Sequence, residues 1–190
     1  MAKKPQILNV TTVAKTRLFE VEAVDLEFSN GVTTQYERLQ TNSAGAVLAV
    51  PMLDAETVLL IREYAAGVDR YELALPKGRL EQNETALLAA DREMMEEVGY
   101  GARQLTLLKT FTSAPGYSSQ KTYIVLAEEL YEKRLPGDEP EEIEVVPWRL
   151  SELDALLQRD DCSEARSIAA LYMVRDLLMK RRGRDGQANT

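Results

Sequence analysis

The sequence predicts a mixed α/β sandwich, a mixed sheet packed between helices, preceded by an antiparallel β hairpin layer. Three observations predict it. Apolar runs of strand length lie on both sides of one central helical stretch, residues 83–99. Two more helical stretches close the chain, 151–158 and 163–182. A length of 190 residues, with 45% hydrophobic and 28% charged side chains, fits one domain or one domain with a small extension.

In chain order, "LFEVEAVDLEFSNGVTTQYERLQ" (18–40) alternates apolar and polar residues around Ser29-Asn30-Gly31. Asn-Gly suits the positive φ angles of a tight hairpin turn. "AGAVLAVPML" and "ETVLLIREY" follow as two apolar strands broken at Asp54-Ala55, and "RYELALPKG" as a third that ends at Pro76. Asn83 is the expected N-cap of the central helix and Gly99 its stop. "LTLLKTFT", "KTYIVLAEEL" and "EEIEVVPW" supply the last strands. The expected division is an N-terminal β extension at 1–42, a main domain at 43–182 and a disordered polar tail at 183–190. The extension has too little core to stand alone and must pack on its own domain or on a second subunit.

Composition narrows the chemistry. A net charge of −8 excludes a broad basic surface for a nucleic-acid backbone, so a protein of this kind that handles phosphates needs cations. The chain has no histidine, which removes imidazole as a general base or zinc ligand. The single cysteine, Cys162, reads as a small packing residue at the edge of a helix. "MAKKPQ" lacks a signal-peptide core and no apolar run approaches ~18 residues, so a cytoplasmic location without membrane contact is expected.

On a helical wheel Leu87, Ala90, Met94 and Val98 form one buried stripe. Glu93, Glu96 and Glu97 fall on an adjoining arc, paired at i+3 and i+4. Like charges at this spacing repel. They form either a solvated acidic face spaced by Arg92 or a ligand set for a hard divalent cation, which prefers carboxylate oxygens.

The spacing from Gly78 onward resembles the Nudix box, the signature of a superfamily that hydrolyses nucleoside diphosphates linked to another moiety. Gly78, Glu84, Arg92, Glu93, Glu96, Glu97 and Gly99 match its seven fixed positions, and Met94 its aliphatic one; Tyr100 departs from the final aliphatic position. Physical reasons accompany the match. Gly78 permits a tight turn and a close approach to ligand, Glu84 suits the positive end of the helix dipole, and Arg92 reaches Glu96 at i+4. The resemblance implies a Nudix α/β/α sandwich. It further implies that Glu93, Glu96 and Glu97, with the backbone carbonyl of Lys77, bind Mg²⁺, or Mn²⁺ in its place, to activate a water.

"VLLIREYAAGVDRYELALPKGRLE" resembles the segment leading into the box of ADP-ribose pyrophosphatases, and "SAPGYSSQ" their loop after it, with Pro115 fifteen residues beyond Tyr100. From about residue 6 to residue 182 the chain resembles the ADP-compounds hydrolase branch. That implies ADP-ribose, NADH and short diadenosine polyphosphates as substrates, Arg62, Arg79 and Tyr117 as substrate-binding residues, and a homodimer through the N-terminal layer. Lys77 stands where alanine is usual and Gln120 where glutamate is common, while Tyr117 sits at a position associated with diadenosine polyphosphates. "GDEPEEIE" (137–144) resembles the acidic loop that supplies a base, which makes Glu139 and Glu141 candidates; its plain reading is a solvated loop. The rival functions are a diadenosine polyphosphate hydrolase and a non-catalytic nucleotide sensor. The intact box and the want of a DNA-binding extension speak against the sensor.

Overall fold

The computed structural model describes residues 3–40 and 44–188, with side chains to residue 183. The expected boundary at residue 42 and the last two residues of the expected tail lie outside the described residues. Among the described residues, ten strands form three sheets. β1 (Gln6–Lys15), β2 (Glu20–Glu27) and β3 (Thr33–Gln40) make an antiparallel sheet in the order β1-β2-β3. β4 (Ala46–Pro51), β7 (Lys77–Arg79), β8 (Tyr100–Thr112) and β9 (Lys121–Glu132) make a mixed sheet in the order β7-β4-β9-β8. β5 (Thr57–Ala65), β6 (Arg70–Ala74) and β10 (Glu144–Arg149) make an antiparallel sheet in the order β10-β5-β6.

The sandwich follows from the period of two along β4 and β9. Leu48, Val50, Ile124 and Leu126 face a core completed by Leu60 and Leu73 and by Leu153, Leu156, Leu171 and Val174 of the terminal helices, α2 (Leu153–Leu156) and α3 (Ala165–Ala188). Val47, Ala49, Val125 and Ala127 face the other way, onto Ala89, Ala90 and Met94 of the central helix α1 (Ala86–Glu93) and the turn after it. The expected mixed α/β sandwich is therefore present, and Cys162 lies buried in its first core as a packing residue.

Several elements differ from expectation. The hairpin has a third strand, β1. Its apolar residues do not alternate cleanly because the register shifts at two places along it. At the hairpin turn only Gly31 has positive φ (79°); the Gly31 N–H donates to the Phe28 carbonyl and the Phe28 N–H to Val32. "RYELALPKG" is two strands, β6 and then β7, which crosses to the mixed sheet after Pro76. The cap of α1 is Thr85, whose hydroxyl accepts the Leu88 N–H, and not Asn83. Asn83 sits instead in a left-handed turn with φ 66°, a conformation asparagine tolerates. After Glu93 the helix widens into a π turn over Met94–Val98, closed by the Gly99 N–H on the Met94 carbonyl. Gly99 (φ 82°) is the expected stop. The expected tail is helical through Ala188. Gly183 lacks the positive φ of a stop, and a helical glycine costs only about 1 kcal/mol.

Candidate active site

Strand β7 delivers the chain to α1 across the mouth of a cleft of about 720 Å³, walled by Glu63, Lys77, Gly78, Glu93, Glu96, Glu97 and Glu139 among others. Gly78 makes the approach possible, because a Cβ there would overlap the Glu93 carboxylate. The π turn places its two glutamates differently: Glu97 is 2% exposed while Glu96 stays half-buried. Such turns recur at functional sites.

Arg92 organises the cluster. Its guanidinium donates to Glu84 at 3.0 Å, to Glu93 at 2.8 Å, to Glu96 at 2.9 Å and to the Arg79 carbonyl at 3.0 Å. The expected Arg92–Glu96 pair thus forms, inside a larger network. Glu84 is held below the usual carboxylate range by Arg92. Glu93 moves up, because burial outweighs Arg92 and the charges of Glu96 and Glu139 add to it. Glu97 is followed in the chain by Val98, which packs with Leu59 and Ile61 in a core at the helix end. Burial pushes its carboxyl up to about 9, opposed by the Lys77 charge and by the Lys77 backbone N–H at 3.0 Å.

This donor set fits a hard divalent cation in its chemistry. Arg92 and Lys77 engage one oxygen each of Glu93, Glu96 and Glu97, and no hydrogen bond among the described residues takes the other. A closed cage is not formed: among the described residues no three acidic side chains are gathered tightly enough to hold an ion, since Arg92 bridges two of them.

The other expected residues divide. Glu139 joins the cleft beside Gly137, whose position faces both Glu139 and the Cβ of Glu96. Glu141 does not; it accepts the Tyr71 hydroxyl at 2.7 Å in a neighbouring cavity of about 270 Å³. Arg62 lines that same cavity and is committed to Glu144 and Asp161, because β10 pairs Glu144 directly opposite it. Arg79 is exposed on β7, between the carboxylate cleft and a cavity of about 320 Å³ under the β1–β2 turn. Tyr117 lies apart, 58% exposed against the N-terminal sheet, where its carbonyl accepts the Leu39 N–H. The expected Lys77 carbonyl belongs to a residue whose N–H binds Glu97 and whose ammonium pairs with Glu63 at 2.7 Å.

Glu63, Arg17 and Leu18 are among the wall residues that were not foreseen. Glu63 was legible in principle, since it continues the Leu59-Ile61 face of β5 and breaks an apolar stripe with a charge. Arg17 and Leu18, from the β1–β2 turn, carry no local signal that they reach the cleft.

Comparison with known proteins agrees with this geometry. A family model described as the NudE-type Nudix hydrolase N-terminal domain matches residues 5–38. ADP compounds hydrolase NudE of Escherichia coli (strain K12) is 50% identical over 176 residues, 93% of this chain and 94% of that protein. ADP-ribose pyrophosphatase of Bacillus subtilis (strain 168) is 30% identical over 88% of this chain and 93% of its own. A crystal structure of an ADP compounds hydrolase superposes with a TM-score of 0.89 at 49% identity, covering 95% of this chain and 97% of that one. The NUDIX domain model matches residues 43–172, well over half of the sequence, and the chain belongs to the NUDIX family.

Proposed function

We propose that the protein is a Mg²⁺-dependent pyrophosphohydrolase of ADP-containing compounds, cleaving ADP-ribose, NADH and short diadenosine polyphosphates to release AMP. The observation that carries this reading is the cleft where Glu93, Glu96, Glu97 and Glu139 meet, in a chain half identical to an ADP compounds hydrolase. A divalent cation held there supplies Lewis-acid polarisation of the diphosphate and a more acidic water. Glu93, Glu96 and Glu97 would hold it, with the Lys77 carbonyl as a further oxygen. Arg92 fixes the rotamers of Glu93 and Glu96 while leaving them one free oxygen each. Glu139, at the open side of the cleft, takes the proton of the attacking water. Arg79 and Arg17 present cationic side chains between two cavities and meet the substrate phosphates. Mn²⁺ substitutes for Mg²⁺ in the same donor set.

The N-terminal sheet is read as a dimerisation element, residues 1–42, on a catalytic domain at 43–182, in a cytoplasmic homodimer. No described helix is long and apolar enough to cross a membrane. A turnover screen over ADP-ribose, NADH, diadenosine di- and triphosphates and GDP-mannose, with Mg²⁺ and with chelator, tests the function. AMP should be the common product, with kcat/KM for ADP-ribose and NADH within about two decades of each other. Turnover of GDP-mannose as fast as that of ADP-ribose would overturn the substrate assignment.

A further inference from the structure

The stretch 133–143 crosses from the end of β9 to the start of β10 and carries Glu139 over the carboxylate cleft. Its entry is pinned to the central helix: the Lys133 N–H donates to the Gly99 carbonyl and the Leu135 N–H to the Met95 carbonyl, both at 3.0 Å. Its exit is pinned by β10, where Glu144 pairs opposite Arg62. Between those points, among the described residues, no main-chain hydrogen bond fastens 136–143 to another element. One side-chain bond does so, from the Tyr71 hydroxyl to Glu141 at 2.7 Å, between residues seventy positions apart in sequence.

Tyr71 is itself braced. It stands opposite Tyr64 in the β5–β6 register, and the two rings meet edge to face with centroids 5.6 Å apart. The Tyr64 hydroxyl donates to Asp69 at 2.6 Å, and Asp69 holds the β5–β6 turn with φ 55°. The donor therefore sits on a braced hairpin end, and the acceptor on a crossing that packs into the core only at its last residue, Ile143, among the described residues. The hydrogen bond to Glu141 also raises the Tyr71 phenol above its ordinary value, keeping it a donor.

We propose that Tyr71 is a positioning residue: through Glu141 it holds the 136–143 crossing so that Glu139 stands beside Glu93 and Glu96. Glu141 is then the anchor of the loop and Glu139 its working carboxylate. The inference rests on the hydrolase reading of the cleft. It explains why, of two acids two positions apart on one loop that both line the smaller cavity, Glu139 also reaches the carboxylate cleft and Glu141 does not. A loop that samples many positions presents its base in the productive one only part of the time, which lowers kcat more than it alters KM.

The test compares the full-length protein with Tyr71→Phe, Glu141→Gln, Glu141→Ala and Glu139→Gln. Steady-state kinetics on ADP-ribose is read beside hydrogen–deuterium exchange of the 133–144 peptide. Tyr71→Phe and Glu141→Ala should each lower kcat about tenfold with KM within about twofold, and both should speed exchange in 136–143 at unchanged Tm. Glu141→Gln keeps a carbonyl acceptor for the tyrosine and should restore kcat and protection relative to the alanine variant. Glu139→Gln should lose activity with exchange unchanged. The proposal is overturned if Tyr71→Phe keeps wild-type kcat and wild-type exchange. It is equally overturned if Glu141→Gln is as inactive as Glu139→Gln while its loop stays protected. Should the wild type hydrolyse none of the ADP compounds, the functional reading fails, and faster exchange in Tyr71→Phe still upholds the tether.

Discussion

Glu97 sits in an environment that disfavours its own charge. At 2% exposure, with Leu59, Ile61 and Val98 around the end of its helix, its carboxyl is pushed up to about 9. The sign of the consequence is fixed by linkage. A carboxyl whose folded value is raised contributes stability that is present below its unfolded value and lost as pH rises through the folded one. Chelator-treated protein should therefore lose thermal stability steadily between about pH 4.5 and about 9. Added Mg²⁺ should raise Tm more at pH 8.5 than at pH 6, and Glu97→Gln should flatten both dependences; a pH series of melts checks this. For chemistry, Glu96→Gln and Glu97→Gln keep shape and remove charge. Each should lower kcat by roughly 10²-fold, about 2.7 kcal/mol, and weaken Mg²⁺ binding in calorimetry. Near-normal turnover of both at saturating Mg²⁺ would remove them from the ligand set.

At the scale of elements, the junction of β7, α1 and the π turn shapes the cleft. Gly78 and Glu93 share one space, so Gly78→Ala must drive the Glu93 side chain out of its rotamer. The expected result is a folded protein with an unchanged circular dichroism spectrum and at least a 10²-fold loss of kcat. Thr85 caps the same helix through Leu88. Thr85→Ala should cost about 1 kcal/mol in urea denaturation, and Thr85→Ser should recover most of it. The sequence made the helix legible because its fixed glutamates and its apolar stripe repeat at helical spacing. It misled at Asn83, where a good capping residue occupies a left-handed turn two positions early. The π turn was illegible, since nothing in Met94–Val98 distinguishes five-residue from four-residue closure before the Gly99 N–H is placed.

Across the whole molecule, legibility followed the range of the interaction. Box residues within one helix were readable from spacing, whereas β4 read only as a continuous apolar strand and its split between two cores was not legible. Contacts between distant segments were not legible either: Arg17 and Leu18 at the cleft, Arg62 against Asp161, and Tyr71 on Glu141 all depend on how strands are laid side by side. The N-terminal sheet poses the largest question of this kind. Every residue of β1 is exposed, including Ile7, Leu8, Val10 and Val13 at 42–55%, and β1 is an edge strand of its sheet. An exposed apolar edge of this length invites pairing with another chain. Joining two such layers about a two-fold axis would cover both at once, as an isologous dimer. Light scattering at tens of micromolar should therefore give a mass near twice 21.3 kDa. Replacing Val10 and Val13 together by lysine places charges on that surface and should shift the mass toward 21.3 kDa without altering the circular dichroism of the NUDIX domain. A wild-type protein that remains at 21.3 kDa under those conditions would show that the sheet serves its own subunit alone.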